Sequence, residues 1–170
     1  DYAAFAQFTH DNDRITGSNN KGINNAINGI GITGDIGANV TLEPAGREFP
    51  FVVPNYIKIK EKKTLTLSEG LTIKFGKNAK LDLEGKLDAE GSAENKVTFT
   101  SLKDDTIAGD TNNDGNDSVP SDNQDDTGKD YTDWEGIVYH DNSEGEFEDF
   151  ECKFSQYNMD YKNISYVRAI

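Results

Sequence analysis

The chain has 170 residues, of which 17 are basic and 31 acidic, so its formal net charge is -14 at pH 7. This length fits one domain with a core of its own, and the acidic balance argues against nucleic acid and anionic membrane surfaces as partners. No apolar run approaches the roughly 18 residues of a membrane-spanning helix, and the single cysteine, Cys152, excludes an intramolecular disulfide.

The first 55 residues differ from the rest of the chain, and we interpret them as an N-terminal cap or first rung. The segment AAFAQF, residues 3–8, is compatible with one helical turn. Isoleucines and valines among glycines in residues 23–42 favour short strands and turns over a helix. In FPFVVPN, Pro50 and Pro54 predict that any strand there pairs only at the edge of a sheet.

Residues 56–101 alternate apolar and polar residues in the segments YIKIK, TLTL, LTIKF, KLDL, KLDA and KVTFT, which is the pattern of half-buried strands. Equivalent positions recur with a period of about 23 residues, and three strands fit into each period. Because such short rungs bury their apolar faces only by stacking, the pattern predicts a three-sided solenoid, the parallel β-helix. The expected stacking pairs are Ile57 with Leu81, Leu65 with Leu87, and Ile73 with Val97.

An acidic insertion at residues 102–133 interrupts this period and holds most of the chain's excess negative charge.

Further rungs are predicted in residues 134–170, so the single domain spans residues 1–170. No capping signal follows the last segment, ISYVRAI, and an open solenoid end exposes unpaired backbone. We therefore expect that the native protein continues past Ile170, that a further chain or fragment completes the solenoid, or that association covers the open end. The start at Asp1 instead of Met predicts a mature or trimmed piece.

Three segments together resemble the right-handed parallel β-helix domains of bacterial surface proteins in the pectin-lyase-like superfamily: residues 64–101, DTNNDGND at 110–117, and DWEGIVY at 133–139. The resemblance covers about residues 56–140 and implies a right-handed, all-β solenoid with a long loop insertion. It implies no single activity, because the superfamily includes lyases, hydrolases, adhesins and non-catalytic surface modules. A narrower resemblance, to the tapirins, implies cellulose binding at a bacterial cell surface.

The segment DTNNDGNDS, residues 110–118, is similar to the first half of an EF-hand loop, with alternating oxygen ligands and a glycine at the sharp turn. Ser121 occupies the position of the bidentate glutamate, which excludes an EF-hand. Hard oxygen ligands favour calcium, and we predict a structural Ca2+ with ligands Asp110, Asn112, Asp114, Asn116 and Asp117. The shell is expected to be closed by one of Asp122, Asp125, Asp126, Asp130 or Asp133. The alternative is a solvated acidic loop.

Aromatic residues around and beyond the insertion predict a carbohydrate-binding surface, because sugar rings stack on aromatic faces. The candidate ligand-binding residues are Tyr131, Trp134, Tyr139 and Tyr157. For Trp134 there is a second interpretation, a plug that fills the corner where the insertion rejoins the solenoid.

The expected function is a non-catalytic polysaccharide-binding or adhesion module, extracellular or on the cell surface, because an Asp-rich calcium loop suits a calcium-rich exterior. Polysaccharide is the expected partner; nucleic acid and membrane insertion are not expected. A calcium-dependent lyase or hydrolase is the alternative, and a structural stalk is a third. Lys74, Lys80 and Lys86 alternate with acidic residues on predicted strands, which is more typical of cross-strand ion pairs than of a catalytic base. The many carboxylates do not single out a hydrolase pair.

Overall fold

Short β-strands, and no helix, form the secondary structure of the part of the chain that the structure describes. The structure is a computed structural model that describes residues 1–9, 15, 19–46, 48–121 and 133–155, and the backbone of 166–168. None of these segments contains a helix that is long and apolar enough to cross a membrane. The strands are β1 (Tyr2–Phe8), β2 (Ile27–Ile36), β3 (Val40–Leu42), β4 (Phe51–Val53), β5 (Tyr56–Ile59), β6 (Thr64–Leu67), β7 (Thr72–Phe75), β8 (Lys80–Leu83), β9 (Lys86–Glu90), β10 (Val97–Ser101), β11 (Gly136–Tyr139), β12 (Glu144–Glu148), β13 (Phe150–Cys152) and β14 (Tyr166–Arg168).

The strands form three parallel stacks, and from β2 to β10 each strand pairs with the third one further along the chain, whereas β12 pairs with β14. The β5 stack contains β5, β8 and β11. The β6 stack contains β3, β6, β9, β12 and β14. The β7 stack contains β4, β7, β10 and β13. The long strand β2 pairs with both β4 and β5 and so joins two of the stacks. The all-β, parallel part of the fold prediction is confirmed, and this pairing is compatible with a β-helix.

Alternation of side chains places one apolar column of each stack in a shared core. Two of the predicted stacking pairs, Ile57 with Leu81 and Leu65 with Leu87, are confirmed by the strand register. All four residues are at most 1% exposed. Burial of each such side chain contributes about 1.5–3 kcal/mol, so the rungs stabilise one another through the core as well as through their backbone hydrogen bonds.

The third predicted pair is wrong, because Ile73 pairs with Phe99 and not with Val97. The register equivalents Leu67 and Ala89 precede the equivalents Thr72 and Thr98, so the connection into β10 is four residues longer than the one into β7, two more than the predicted pair assumed. Since side chains in a strand alternate with a period of two, a shift of two residues still points an apolar side chain inward. Hydrophobic periodicity therefore cannot distinguish the two registers.

Aromatic rings close the core beside β10. The ring of Trp134 stacks on Phe75 with centroids 4.2 Å apart and an interplanar angle of 12°. Phe99 meets the same indole edge-on, with centroids 6.1 Å apart. Trp134 Nε1 donates a hydrogen bond to the carbonyl of Lys153 at 2.8 Å, so the indole is satisfied while fully buried.

Two expectations for the N-terminal region are wrong. Residues 3–8 lie in β1, which pairs in parallel with β2. A neighbouring strand offers a whole ladder of hydrogen bonds, whereas a single helical turn pays its nucleation cost for one. The strand β4 pairs on both sides, with β2 and β7, and is not an edge. Pro50 and Pro54 flank this strand instead of lying in it, so neither has to donate to the ladder.

Candidate functional site

The first part of the insertion, residues 102–121, lies against the outer face of the β7 stack. The amide of Asn28 donates to the carbonyl of Thr111 at 2.7 Å. Val52 on β4 and Thr100 on β10 are both 0% exposed although they lie outside the apolar core cluster. Residues 102–121 therefore cover one of the three outer faces and do not project from a corner.

Lys74 anchors residues 102–121, which we call the cover, to β7. Its ammonium donates to the carbonyls of Asp104 at 2.8 Å and Gly109 at 2.7 Å, and the residue is 0% exposed. Lys74 was expected to form an outward cross-strand ion pair, and this expectation is wrong. An outward lysine in an alternating strand looks the same in sequence whether solvent or an insertion lies above it.

The charge of Lys74 is balanced by the insertion itself. Burial lowers the pKa of Lys74 from the usual lysine value of 10.5 to about 8, while the carboxylates of Asp105, Asp104 and Asp110 oppose this shift. A buried ammonium is tolerated only when hydrogen bonds and opposite charges replace its water. The main-chain carbonyls and these three carboxylates together supply that environment.

Buried aspartates hold the rest of the cover in place. Asp104 accepts from the Thr100 hydroxyl at 2.6 Å, which ties the start of the insertion to β10. Asp133 accepts from the Ser101 hydroxyl and from the amide of Ser121 at 2.8 Å. Asp133, one of the residues considered for the calcium shell, is thus a hydrogen-bonded tie between the beginning and the middle of the insertion.

The cover also contains the one group of three carboxylates found close together in the described residues: Asp105, Asp110 and Asp114. One oxygen from each lies within 4.8 Å of the others. Asp110 and Asp114 belong to the predicted calcium loop, whereas Asp105 was missed because it precedes the EF-hand-like spacing by five residues. We refer to these three residues as the acidic triad.

Local hydrogen bonds shape the turn that carries the triad. Asp110 accepts from the amides of Asp114 at 3.1 Å and Gly115 at 2.9 Å. Asp114 in turn accepts from the side-chain amide of Asn112 at 2.8 Å and from the Ser118 hydroxyl. The hydrogen bond from Ser118 lowers the pKa of Asp114, burial opposes this shift, and hydrogen bonds from backbone amides add to the lowering. The predicted ligands Asn116 and Asp117 are exposed, and Asp117 is not part of the triad.

The chemistry of this turn fits an oxygen-binding cation such as calcium. Oδ1 of Asp105 and Oδ1 of Asn112 are buried and have no hydrogen-bond partner, although buried oxygens normally have one. Burial, and then the charge of Asp110, raises the pKa of Asp105, with Lys74 opposing the shift. Carboxylate and amide oxygens are calcium ligands, so Asp105, Asp110, Asp114 and Asn112 are the residues that fit such an ion.

The predicted carbohydrate-binding aromatics do not form one surface in the described part of the chain. Trp134 is fully buried, so its ring faces are inaccessible to a sugar, and its burial agrees with the corner-plug interpretation. Tyr139 is half-buried and packs against the core. Tyr131 and Tyr157 lie outside the described residues, as do Asp122, Asp125, Asp126 and Asp130.

A polar cluster that the sequence did not single out occupies the outer face of the β5 stack. Its centre is Asp82, whose Oδ1 contacts His140 Nε2 and whose Oδ2 lies 3.7 Å from Lys58 Nζ and 3.8 Å from Lys80 Nζ. Lys58 also donates to Glu84 at 2.9 Å. The strand register could have suggested the lysine pairs, but His140 lies 58 residues from Asp82 across the insertion.

No protein-family model, curated protein or solved structure matches this chain. The features that bear on function are the covered β7 face, the acidic triad and the two outer faces that the described insertion leaves open.

Substituting Lys74 by Met should release the insertion without unfolding the rungs. The variant leaves the carbonyls of Asp104 and Gly109 without their donor, at a cost of about 1–3 kcal/mol. We expect hydrogen exchange in residues 102–121 to accelerate about tenfold or more, with exchange in β5 to β9 unchanged. The control is Lys80→Met, which removes a half-buried lysine from the β5 stack, outside the contact with the insertion. Equal exchange in wild type and Lys74→Met would show that this lysine anchors nothing.

The lowered pKa of Lys74 makes a contribution to stability that depends on pH. Because the folded pKa, about 8, lies below the usual 10.5, this contribution is present above pH 10.5 and is lost as the pH falls through 8. Each unit of difference corresponds to about 1.4 kcal/mol. The free energy of unfolding of wild type minus that of Lys74→Met should rise between pH 8 and 10.5, and the Lys74 side-chain NMR signal should titrate near 8. A flat difference, with titration near 10.5, would contradict the burial of this ammonium.

Proposed function

We propose that this chain is a non-catalytic, extracellular module that binds an extended polysaccharide at a cell surface. The observation that carries the proposal is the pair of sheet faces, on the β5 and β6 stacks, that the described insertion leaves open. Each presents outward polar side chains in register across successive rungs, such as Lys58 beside Asp82 and Thr66 beside Asp88. A regular surface of this kind suits an elongated polymer better than a small ligand, which usually binds in a concave pocket.

For the fold we propose the right-handed parallel β-helix of the pectin-lyase-like superfamily. Pairing of every third strand supports this, because three strands then complete one turn of a solenoid. Parallel crossover connections are right-handed in nearly all proteins, which supports the hand. The motifs from residues 64–101 and 133–139 also fall on the stacked strands and on the segment where the insertion returns.

Binding is favoured over catalysis by the pairing of the outer lysines. Lys58 contacts Glu84 at 2.9 Å and Lys86 contacts Glu146 at 2.7 Å, and each of these contacts raises the pKa of its lysine. A lysine that acts as a base needs a lowered pKa instead. The pKa of Lys74 is lowered, but this lysine lies beneath the insertion, where a substrate cannot reach it.

One observation favours the enzymatic alternative, a lyase or hydrolase. The contact of His140 with Asp82 resembles the carboxylate-oriented imidazole of acid–base catalysts, and the His140 side chain is 46% exposed. Release of soluble sugars that disappears in His140→Ala would favour this alternative.

We also propose that the acidic triad binds a structural calcium ion, with Asn112 as a further ligand. Calcium would relieve the repulsion among the carboxylates of Asp105, Asp110 and Asp114. Asn116 and Asp117, which are exposed, belong to the predicted ligand set only if the turn rearranges on binding. The ion would then act as a clip that holds the insertion on the β7 stack.

The protein should adsorb to an insoluble polysaccharide without degrading it. We expect depletion from solution by amorphous cellulose, and no reducing sugar in the supernatant, with bovine serum albumin as the control for nonspecific adsorption. Sugar release would mean that the module is an enzyme. If the protein neither binds cellulose or polygalacturonate nor releases sugar from them, the remaining interpretation is a structural stalk module.

Calcium should bind at the triad and slow hydrogen exchange in residues 102–121. By calorimetric titration, Asp105→Asn and Asp110→Asn should each weaken calcium binding about tenfold or more, because each removes a charged ligand. Glu69→Gln, which removes an exposed charge from a distant turn, is the matched control. Equal affinity in all four proteins would mean that calcium is held only by the diffuse negative charge, and the structural site would be rejected.

A further inference from the structure

We infer that the polymer lies on the outer face of the β5 stack, that it is an uncharged glycan, and that Tyr56 is the platform on which a sugar ring stacks. The inference rests on the proposed polysaccharide-binding function and adds the surface and the chemical class of ligand. The residues that carry it are Tyr56, Lys58, Lys80, Asp82, Glu84 and His140.

The β5 stack is selected because the described outward side chains of the other two stacks include no exposed aromatic residue. The described part of the insertion, residues 102–121, covers the β7 stack. On the β6 stack, outward positions of β12 are Glu144, Glu146 and Glu148, and the described outward side chains of β3, β6 and β9 include no aromatic residue. On the β5 stack, Tyr56 is 39% exposed and lies at an outward position of a regular strand.

The surroundings of Tyr56 leave room for a flat ligand. Tyr56 pairs in register with Lys80, and Lys80 pairs with Gly136 on the next rung. Because Gly136 has no side chain, nothing projects from this position of β11 beside Lys80. Adjacent strands lie about 4.8 Å apart, so the three strands form a shallow strip about 10 Å wide next to the tyrosine ring.

The cluster around Asp82 can bind hydroxyl groups without reorganising. Its charged groups hold one another in place, through the contacts of Asp82 with His140, Lys58 and Lys80 and of Lys58 with Glu84. Asp82 itself is buried, so the groups available to a ligand are the partly exposed side chains of Lys58, Lys80, Glu84 and His140. Sugar hydroxyls both donate and accept, so they match this mixture of donors and acceptors. A surface that is ordered before binding loses less entropy when the ligand arrives.

The same pairing argues for an uncharged ligand. Recognition of a uronate carboxylate needs a cation that is available to it, whereas Lys58 and Lys80 are both engaged by Asp82. The chain as a whole carries a net charge of -14 and therefore repels a polyanion. A neutral, hydroxyl-rich glycan avoids both costs.

The test compares adsorption isotherms of wild type, Tyr56→Ala and Tyr56→Trp on amorphous cellulose, with soluble polygalacturonate as the anionic competitor. Loss of the ring should weaken adsorption about three- to tenfold, the usual range for one aromatic contact, and Tyr56→Trp should retain the wild-type affinity. Phe5→Ala is the matched control, since Phe5 is an aromatic side chain that is 53% exposed and lies on β1, outside the β5 stack. Equal thermal unfolding midpoints show that the variants are folded.

The outcomes separate the site from the function. Weaker adsorption of Tyr56→Ala alone supports the inference. If wild type adsorbs and Tyr56→Ala adsorbs equally well, or if polygalacturonate displaces the protein from cellulose, the surface or the ligand class is wrong while polysaccharide binding stands. If wild type neither adsorbs to cellulose nor binds polygalacturonate, the proposed function itself fails and the inference falls with it.

Discussion

A buried lysine determines how this molecule presents its surfaces. Lys74 stands on the central strand of the β7 stack, where solvent would ordinarily hydrate its ammonium, and two carbonyls of the insertion replace that water. A buried charge without such partners would cost several kcal/mol. Asp104 and Gly109 must therefore lie above β7 in the stable fold, because their carbonyls bind the buried ammonium of Lys74.

The position of the insertion has two consequences. Its described part, residues 102–121, covers the outer face of the β7 stack and leaves the β5 and β6 stacks open. It also concentrates negative charge near Lys74, where the acidic triad forms beside the ammonium. Lys74 neutralises part of that charge but leaves three carboxylates within 4.8 Å of one another. The ammonium of Lys74 and the proposed calcium ion would thus act on the same segment, and the ion would serve as a second clip that holds residues 102–121 on the β7 stack.

The repeating part of the fold could be predicted from the sequence because its information is local and periodic. Alternation identified the strands from Tyr56 to Ser101, and the spacing of Ile57 and Leu81 gave the correct register. The shift at Ile73 and Phe99 escaped because two-residue shifts preserve alternation. The N-terminal strand β1 escaped because its short apolar segment gains its conformation from pairing with β2, which is a tertiary effect.

The candidate sites were less predictable because they depend on where the insertion lies. The spacing of residues 110–118 pointed to Asp110 and Asp114, but Asp105 joins them only through the folded-back path of the cover. His140 meets Asp82 because stacking brings β11 beside β8 after the insertion. Trp134 was ambiguous in sequence, since a platform and a plug require the same residue; its stacking on Phe75 decides for the plug.

The most direct test of this account is to determine by NMR which residues surround the Lys74 side chain in solution. In an isotope-labelled sample, nuclear Overhauser contacts from the Lys74 ε-methylene protons should reach the α-protons of Gly109 and the backbone of Asp104. Contacts only to neighbouring residues of β4 and β10, together with a solvent-exposed ammonium, would contradict the account, because the insertion would then leave the β7 stack uncovered.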